Sequence, residues 1–439
     1  MTAVTPPRAA RITLDARIAR APGAMTPPPN ATRLAGEHFA AATVYLVAGA
    51  LGLVWIAPEL AAGAYPSPHV AAVAHLFTLG WITMTIFGAL YQLLPVALGA
   101  PVRSVRAGHA SFWSFAPGVA CFATGVAGGS NVLRHAGIAL VGIGVLLAVG
   151  NVAATLRTAR TRDVTWAAIA LAITFLTSTL ALGIILLHNL QTGFIAAARA
   201  RVLAAHLHVA IIGWALMMIV GVSHRLLPMF LLAHGADTRW TRRSLAMLAS
   251  GVPALAAGIM TQRTLLSWTG IALIELGIAC FLRQVVAFHR VRVKRRLDVG
   301  VLFAATALGF LAIGAALGPI ALGAGAGHSR LDTAYVTVGL LGGVVMFIVG
   351  FFYKIVPLLA WTARYRGRMG KERVPTVAET FSARVAHVQL VAMALAIALL
   401  GAGIGAGSAT AVRTGAGLFV VGVALLASQL GRATFGTPR

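Results

Sequence analysis

The sequence predicts an all-α, polytopic membrane protein of about twelve transmembrane helices in three four-helix repeats. Its 439 residues are 59% hydrophobic and only 10% charged, which excludes an ordinary soluble domain. Apolar stretches near 38–58, 68–98, 108–129, 133–155, 165–188, 203–232, 242–261, 264–288, 298–322, 331–361, 385–406 and 410–430 are each long enough to span. A hydrocarbon core takes about 20 helical residues, and the alternation expected of barrel strands is absent.

The third observation is a pattern that recurs three times. Gly80, Gly213 and Gly342 each precede a second glycine by eight residues, and that glycine precedes Pro95, Pro228 or Pro357 by seven. A match without gaps over this length indicates an internal repeat. It pairs His75 with His208 and Thr337, Tyr91 with His224 and Tyr353, and Gln92 with Arg225 and Lys354. Spans 2, 6 and 10 are then counterparts, in repeats of about 37–160, 161–296 and 297–431. The glycine spacing itself points to close helix packing rather than chemistry.

In chain order, residues 1–36 hold Arg8, Arg11, Arg17, Arg20 and Arg33 among prolines and alanines, and read as a flexible basic cytoplasmic arm. No apolar core followed by a cleavage site is present there, so a signal peptide is not expected. The first span opens at Glu37-His38. Span 2 carries His75 in its outer half and Pro95 about 30 Å lower, at 1.5 Å per residue. Spans 3, 4 and 7 read as scaffold. Span 5 ends at His188-Asn189, followed by Arg199 and Arg201. Span 6 carries His206 and His208, with His224 about 24 Å below. Span 8 contains Glu275, the one acidic residue placed deep in the membrane. The basic loop 289–298 ends it, and 362–384 is the longest connection. Span 11 has His387 near its inner end, span 12 is featureless, and 432–439 is a cytoplasmic tail.

The net charge of +25 resembles that of a nucleic-acid binder, but its distribution argues otherwise. With the N-terminus inside, the cytoplasmic segments hold 27 of the 35 Lys and Arg and the outer ones six, while Arg225 and Lys354 lie within spans. This is the positive-inside asymmetry, with both termini cytoplasmic. The basic loops serve orientation and contact with anionic lipid, and no nucleic-acid partner is expected.

Ionisable groups inside a membrane are costly and mark functional sites by default. On a helix His206 and His208 are about 200° apart, so they serve two sites on opposite flanks. His75 and His208 lie at one depth and are equated by the repeat, which suits a planar macrocycle held from both faces, as haem iron takes axial imidazoles. A bare zinc or copper site needs three or four convergent ligands, and in the set His75, His206 and His208 two diverge. Copper stays possible without support. His206 is a candidate ligand to a second haem or metal.

Arg199 and Arg201 are candidate partners for haem propionates, since guanidinium and carboxylate pair through two parallel hydrogen bonds. Glu275 is a candidate proton relay, or a protonated acid bonded to a neighbour. His38, His224 and His387 read as polar groups at helix ends. Cys121 and Cys280 read as small packing residues.

Residues Ala74-His75 through Leu93-Leu94-Pro95-Val96-Ala97-Leu98-Gly99-Ala100-Pro101 resemble the second helix of the haem–copper oxidase catalytic subunit. There a histidine on the low-spin haem is followed by a Gly…Leu-x-Pro…Gly-Ala-Pro ending. His206-Leu207-His208 resembles the His-x-His of that family's tenth helix, and Asp332-Thr333-Ala334-Tyr335-Val336 is similar to the approach to it. Twelve helices in three arcs match its plan. Two departures stand out: the His-x-His lies on span 6, with Thr337 on span 10, and 242–261 has no histidine to match a copper ligand. The pattern is closer to diverged relatives, such as the NnrS-type haem proteins linked to nitric oxide.

The resemblance implies one or two haem b groups and a bacterial-type inner membrane. It also implies electron transfer or nitric oxide or oxygen chemistry by an oxidoreductase, with a donor cytochrome or quinol. Two other classes stay open on the sequence: a repeat-built transporter whose histidines line a substrate or proton path, and a haem-based sensor or assembly partner without turnover.

Overall fold

The computed structural model describes residues 29–233, 235, 237–324 and 329–436. Twelve helices among them are long and apolar enough to cross a membrane. They are α1 (Ala31–Trp55), α2 (Pro68–Leu98), α3 (Val105–Ala127), α4 (Asn131–Arg157), α5 (Val164–Thr192) and α6 (Ala196–Leu231), then α7 (Arg239–Thr261), α8 (Thr264–Arg290), α9 (Val299–Ala324), α10 (Ser329–Arg368), α11 (Ala383–Ala406) and α12 (Ala409–Phe435). The described residues form no strand beyond one isolated bridge between Ala233 and Arg292. The protein is an all-helical, multi-pass membrane protein.

Most of the expected basic arm, residues 1–28, and the tail residues 437–439 lie outside the described residues. Residues 29–36, grouped with the arm above, are instead the opening turns of the first helix. The helix that contains the span Ala31–Trp55 begins two residues earlier, at Pro29, where a missing N–H costs nothing, and Arg33 pairs with Glu37 one turn on at 3.0 Å. At the other end α12 runs to Phe435, and the Gly436 N–H closes it on the Arg432 carbonyl at 2.8 Å.

Three helices are built alike and enclosed by the rest. In α10, α2 and α6, 83%, 67% and 61% of the most apolar window is buried, against 22–50% in the other nine. Each changes from α- to π-helix for eight residues, at Leu76–Thr83, Val209–Leu216 and Val338–Val345. The three π-stretches fall on aligned positions, each directly after His75, His208 or Thr337. π-Helix is rare and is frequently found at functional sites.

The glycines set how closely the first helix of each repeat approaches the second. A Cβ on Gly80 would lie 2.5 Å from Tyr45 of α1, one on Gly213 2.7 Å from Phe175 of α5, and one on Gly342 2.6 Å from Phe310 of α9. Two turns on, a Cβ on Gly88 would meet His38 at 2.8 Å, one on Gly221 Ala168 at 2.2 Å, and one on Gly350 Phe303 at 2.8 Å. The spacing is close packing, as small residues at membrane helix contacts serve elsewhere. The third and fourth helices of each repeat form antiparallel hairpins, α3 with α4, α7 with α8 and α11 with α12, across connections of two or three residues.

The face at which α1 begins and α12 ends carries most of the basic residues among the described residues, and there the second helix of each repeat is tied to the start of the first. Asp163 caps α5 through the Thr165 and Trp166 N–H groups at 3.0 and 3.2 Å, and its other oxygen accepts from Arg225. Asp298 accepts the Val301 N–H at 3.3 Å and Lys294 at 2.5 Å, and also Lys354. Gln92, aligned with Arg225 and Lys354, donates to the Ala31 carbonyl at 3.2 Å. The two intramembrane cations are thus the paired ends of inter-helix ties.

Candidate functional site: two histidine-lined cavities

The π-stretches lie just below the histidines, and the side chains of α6 diverge as their spacing requires. His206 points back to α2 and lines a cavity of about 150 Å³ walled by α2 to α6. His208 points forward to α10 and lines another of about 60 Å³ between α6, α8, α9 and α10.

In the first cavity His75 and His206 face each other, ring centroids 6.3 Å apart and planes at 30°. The His75 Nδ1–H donates to the Ala71 carbonyl at 2.6 Å, which leaves the Nε2 lone pair free. Phe122 meets the same ring edge-on at 4.9 Å. His206 is buried beside the Thr179 backbone, and its Nδ1 makes no hydrogen bond of ordinary geometry. A Cβ on Gly183 of α5 would lie 3.3 Å from the His206 Cε1, so the glycine leaves the imidazole room. Most of the remaining wall is apolar, with Val141, Leu176 and Leu187 among its members, interrupted by Thr78 and Thr179. Its floor is a buried tie, in which Trp214 Nε1 donates to Thr83 Oγ1 at 3.0 Å and that hydroxyl donates to the Thr78 carbonyl at 2.8 Å.

In the second cavity the His208 Nδ1–H donates to the Ala204 carbonyl at 2.8 Å. The Nε2 is therefore the acceptor, and the Tyr335 hydroxyl donates to it at 3.3 Å. The two rings lie 5.9 Å apart at 31°. Glu275 lines the same cavity and lies beside Gly318.

The pairing of His75 with His208 expected above is therefore corrected: the structure pairs His75 with His206. Counterparts in a repeat hold equivalent corners of different arcs, so each faces the next helix and not the other. Tyr335 stands where His206 stands, two residues before the aligned Thr337, and so occupies its role opposite His208. The repeat alignment carries that signal, since Tyr335 precedes Thr337 by the two residues that separate His206 from His208.

The two arginines also separate. Arg199, seven residues before His206 and so on its face, lines the first cavity and donates to the Pro66 carbonyl at 3.1 Å. Arg201, seven before His208, does not line it, and its Nε is buried without a partner. Tyr65, which the sequence reading passed over, stands at the rim with Arg199. Burial pushes its phenol above the ordinary value, and the Asp332 carboxylate adds to this.

Of the other histidines, His38 is fully buried, bonded to the Leu34 carbonyl at 2.8 Å and packed on Phe112, while His224 bonds Thr241 at 3.3 Å. Among the described residues no group of three or more His, Cys, Asp and Glu is placed to hold a metal ion. No protein-family model matches the chain, and no curated protein matches it.

Proposed function

We propose that the protein binds one haem b between His75 and His206 and works as a membrane electron carrier. The observation that supports this is the facing pair of imidazoles in a mostly apolar cavity. Metal–imidazole bonds of about 2.0–2.1 Å place the centres of two trans rings about 6 Å apart, and the pair stands at 6.3 Å. Two imidazoles alone do not complete a bare metal site, whereas a macrocycle supplies the equatorial ligands itself. The residues present fit the group.

In this reading haem supplies one-electron redox chemistry. The chain's own part is to hold, orient and insulate. The Ala71 carbonyl fixes the tautomer and rotation of His75, a supporting contact typical of ligating histidine. Gly183 seats His206, the apolar wall excludes water, and Arg199 offers a cation for a carboxylate at the rim. His208 is not counted as a ligand, because its Nε2 accepts from Tyr335.

With an imidazole on each side no open position is left for a diatomic gas. This favours electron transfer over reduction of nitric oxide or oxygen. The test is the absorption spectrum of the purified protein, oxidised and reduced, before and after carbon monoxide. A b-type spectrum unmoved by the gas is expected. A protein without haem overturns the reading, and a shifted spectrum overturns the closed site.

A further inference from the structure

A third cavity lies below the Thr83–Trp214 floor and is larger than either of those above. It measures about 380 Å³ and sits between the lower halves of α2, α6 and α10. On α10 its apolar lining runs from Phe347 to Leu359, broken only by Lys354, a depth of about 18 Å at 1.5 Å per residue. A membrane acyl chain fills half of a hydrocarbon core about 30 Å thick, so the depth suits one such chain. Thr85 stands at the deep end, but its hydroxyl is buried, so an occupant meets apolar groups there.

The polar lining gathers at the other end. Thr32, Gln92, Thr362 and Arg366 line the cavity toward the basic face, and none of them is buried. Apolar side chains ring the same opening: Val96 of α2, Met229 of α6 and Leu358 of α10 line the cavity and are each about half exposed. Exposed apolar patches rimmed by polar residues mark ligand grooves and other contact sites.

Of the two cations in the lining, Lys354 is already paired with Asp298. Arg366 differs from it and from its own neighbours. Arg364 donates to the Gly436 carbonyl at 2.6 Å, and Arg368 pairs with Glu372. The Arg366 guanidinium makes no hydrogen bond or ion pair among the described residues, and it is the arginine of the three that lines the cavity.

These features specify the occupant. It has an apolar tail for the chamber and an anionic head for the free guanidinium at the opening. Carboxylate matches guanidinium through two parallel hydrogen bonds. A neutral lipid leaves Arg366 idle, and a diacyl phospholipid leaves its second chain outside the opening. We propose that this cavity binds a long-chain fatty acid, with its carboxylate at Arg366 and its chain running up toward Phe347.

The test is photolabelling of the purified full chain in detergent with palmitic acid carrying a diazirine midway along its chain. Labelled residues are mapped, with palmitate and its methyl ester as competitors, and co-purified lipid is extracted and identified. Label is expected on lining residues such as Val222 and Phe351, suppressed by palmitate and far less by the ester. Palmitate affinity should fall roughly five- to tenfold in Arg366→Gln, as for loss of a charged hydrogen-bond partner, and stay unchanged in Arg364→Gln. Leu226→Trp, which fills the chamber, should abolish the label there. Equal competition by acid and ester overturns the proposal, as does equal affinity in wild type and Arg366→Gln. Label confined to the outer surface, or a neutral or two-chain lipid extracted in place of fatty acid, does the same. No readout depends on haem, so failure here and failure of the haem reading are told apart.

Discussion

His75 and His206 face each other at 6.3 Å and 30°, and one repeat further on His208 and Tyr335 stand at 5.9 Å and 31°. The same construction is used twice with one partner changed from imidazole to phenol. On the proposed reading, that change decides which flank of α6 would suit a haem iron. An imidazole opposite an imidazole leaves two lone pairs for one centre, whereas a phenol donates to the lone pair and occupies it.

The ligand assignment is tested by three single variants. His75→Ala and His206→Ala should each remove most of the haem b absorbance while the protein still inserts. His208→Ala should keep it. Haem lost in His208→Ala and retained in His206→Ala would falsify the pairing.

Arg199 and Arg201 should differ in the same way. On the proposed reading, losing a cation beside haem carboxylates would favour oxidised iron, so Arg199→Gln should lower the midpoint potential. Arg201→Gln, outside that cavity, should leave it nearly unchanged. A redox titration of both decides, and equal shifts remove the distinction drawn between them.

Helix approach at the repeat glycines is tested without reference to any ligand. Gly80→Ala forces a Cβ to 2.5 Å from Tyr45, and overpacking of this kind costs about 1–3 kcal/mol. Gly339→Ala, with nothing within 4 Å, should change stability by less than about 0.5 kcal/mol. Thermal unfolding in detergent compares them.

The ties at the basic face carry a pH dependence. Burial works to raise the Asp298 carboxyl, but hydrogen bonds and charge from Lys294 and Lys354 outweigh it and hold the group below its ordinary value. A depressed carboxylate contributes stability that is present above the unfolded value, about 3.9, and is lost as pH falls through the lower folded value. Asp298→Asn should therefore cost about 1 kcal/mol near neutrality and nothing additional at the acid end. A variant with the wild-type acid limb throughout would show the tie to be idle.

Orientation follows from the 27-to-6 division of Lys and Arg. A reporter fused after Arg439 should read cytoplasm, and one inserted at Ala62, in the loop between α1 and α2, should read the outside. Reversal at both positions inverts the topology.

Much of this protein is determined locally, and for that reason the sequence alone specified it. Span length and hydropathy are properties of single helices, so the twelve spans followed from apolar runs. The repeat followed from glycines and prolines at constant spacing, and Gly80, Gly213 and Gly342 then met Tyr45, Phe175 and Phe310 in the same register. The divergence of His206 from His208 is helix geometry, about 100° per residue, and needed no neighbour. The same rule applied over seven residues would have placed Arg199 with His206 and Arg201 with His208.

Which helix each face meets was decided only by the tertiary structure. Periodicity fixes the angles between side chains on one helix, but not how that helix is rotated against the next. His75 and His208 are equivalent by sequence, and for that reason they look in the same rotational sense around the bundle and never at each other. The ring of α2, α6 and α10 brought His206 to His75 and Tyr335 to His208. Those contacts join residues 120 or more positions apart in the chain, where no local pattern reaches.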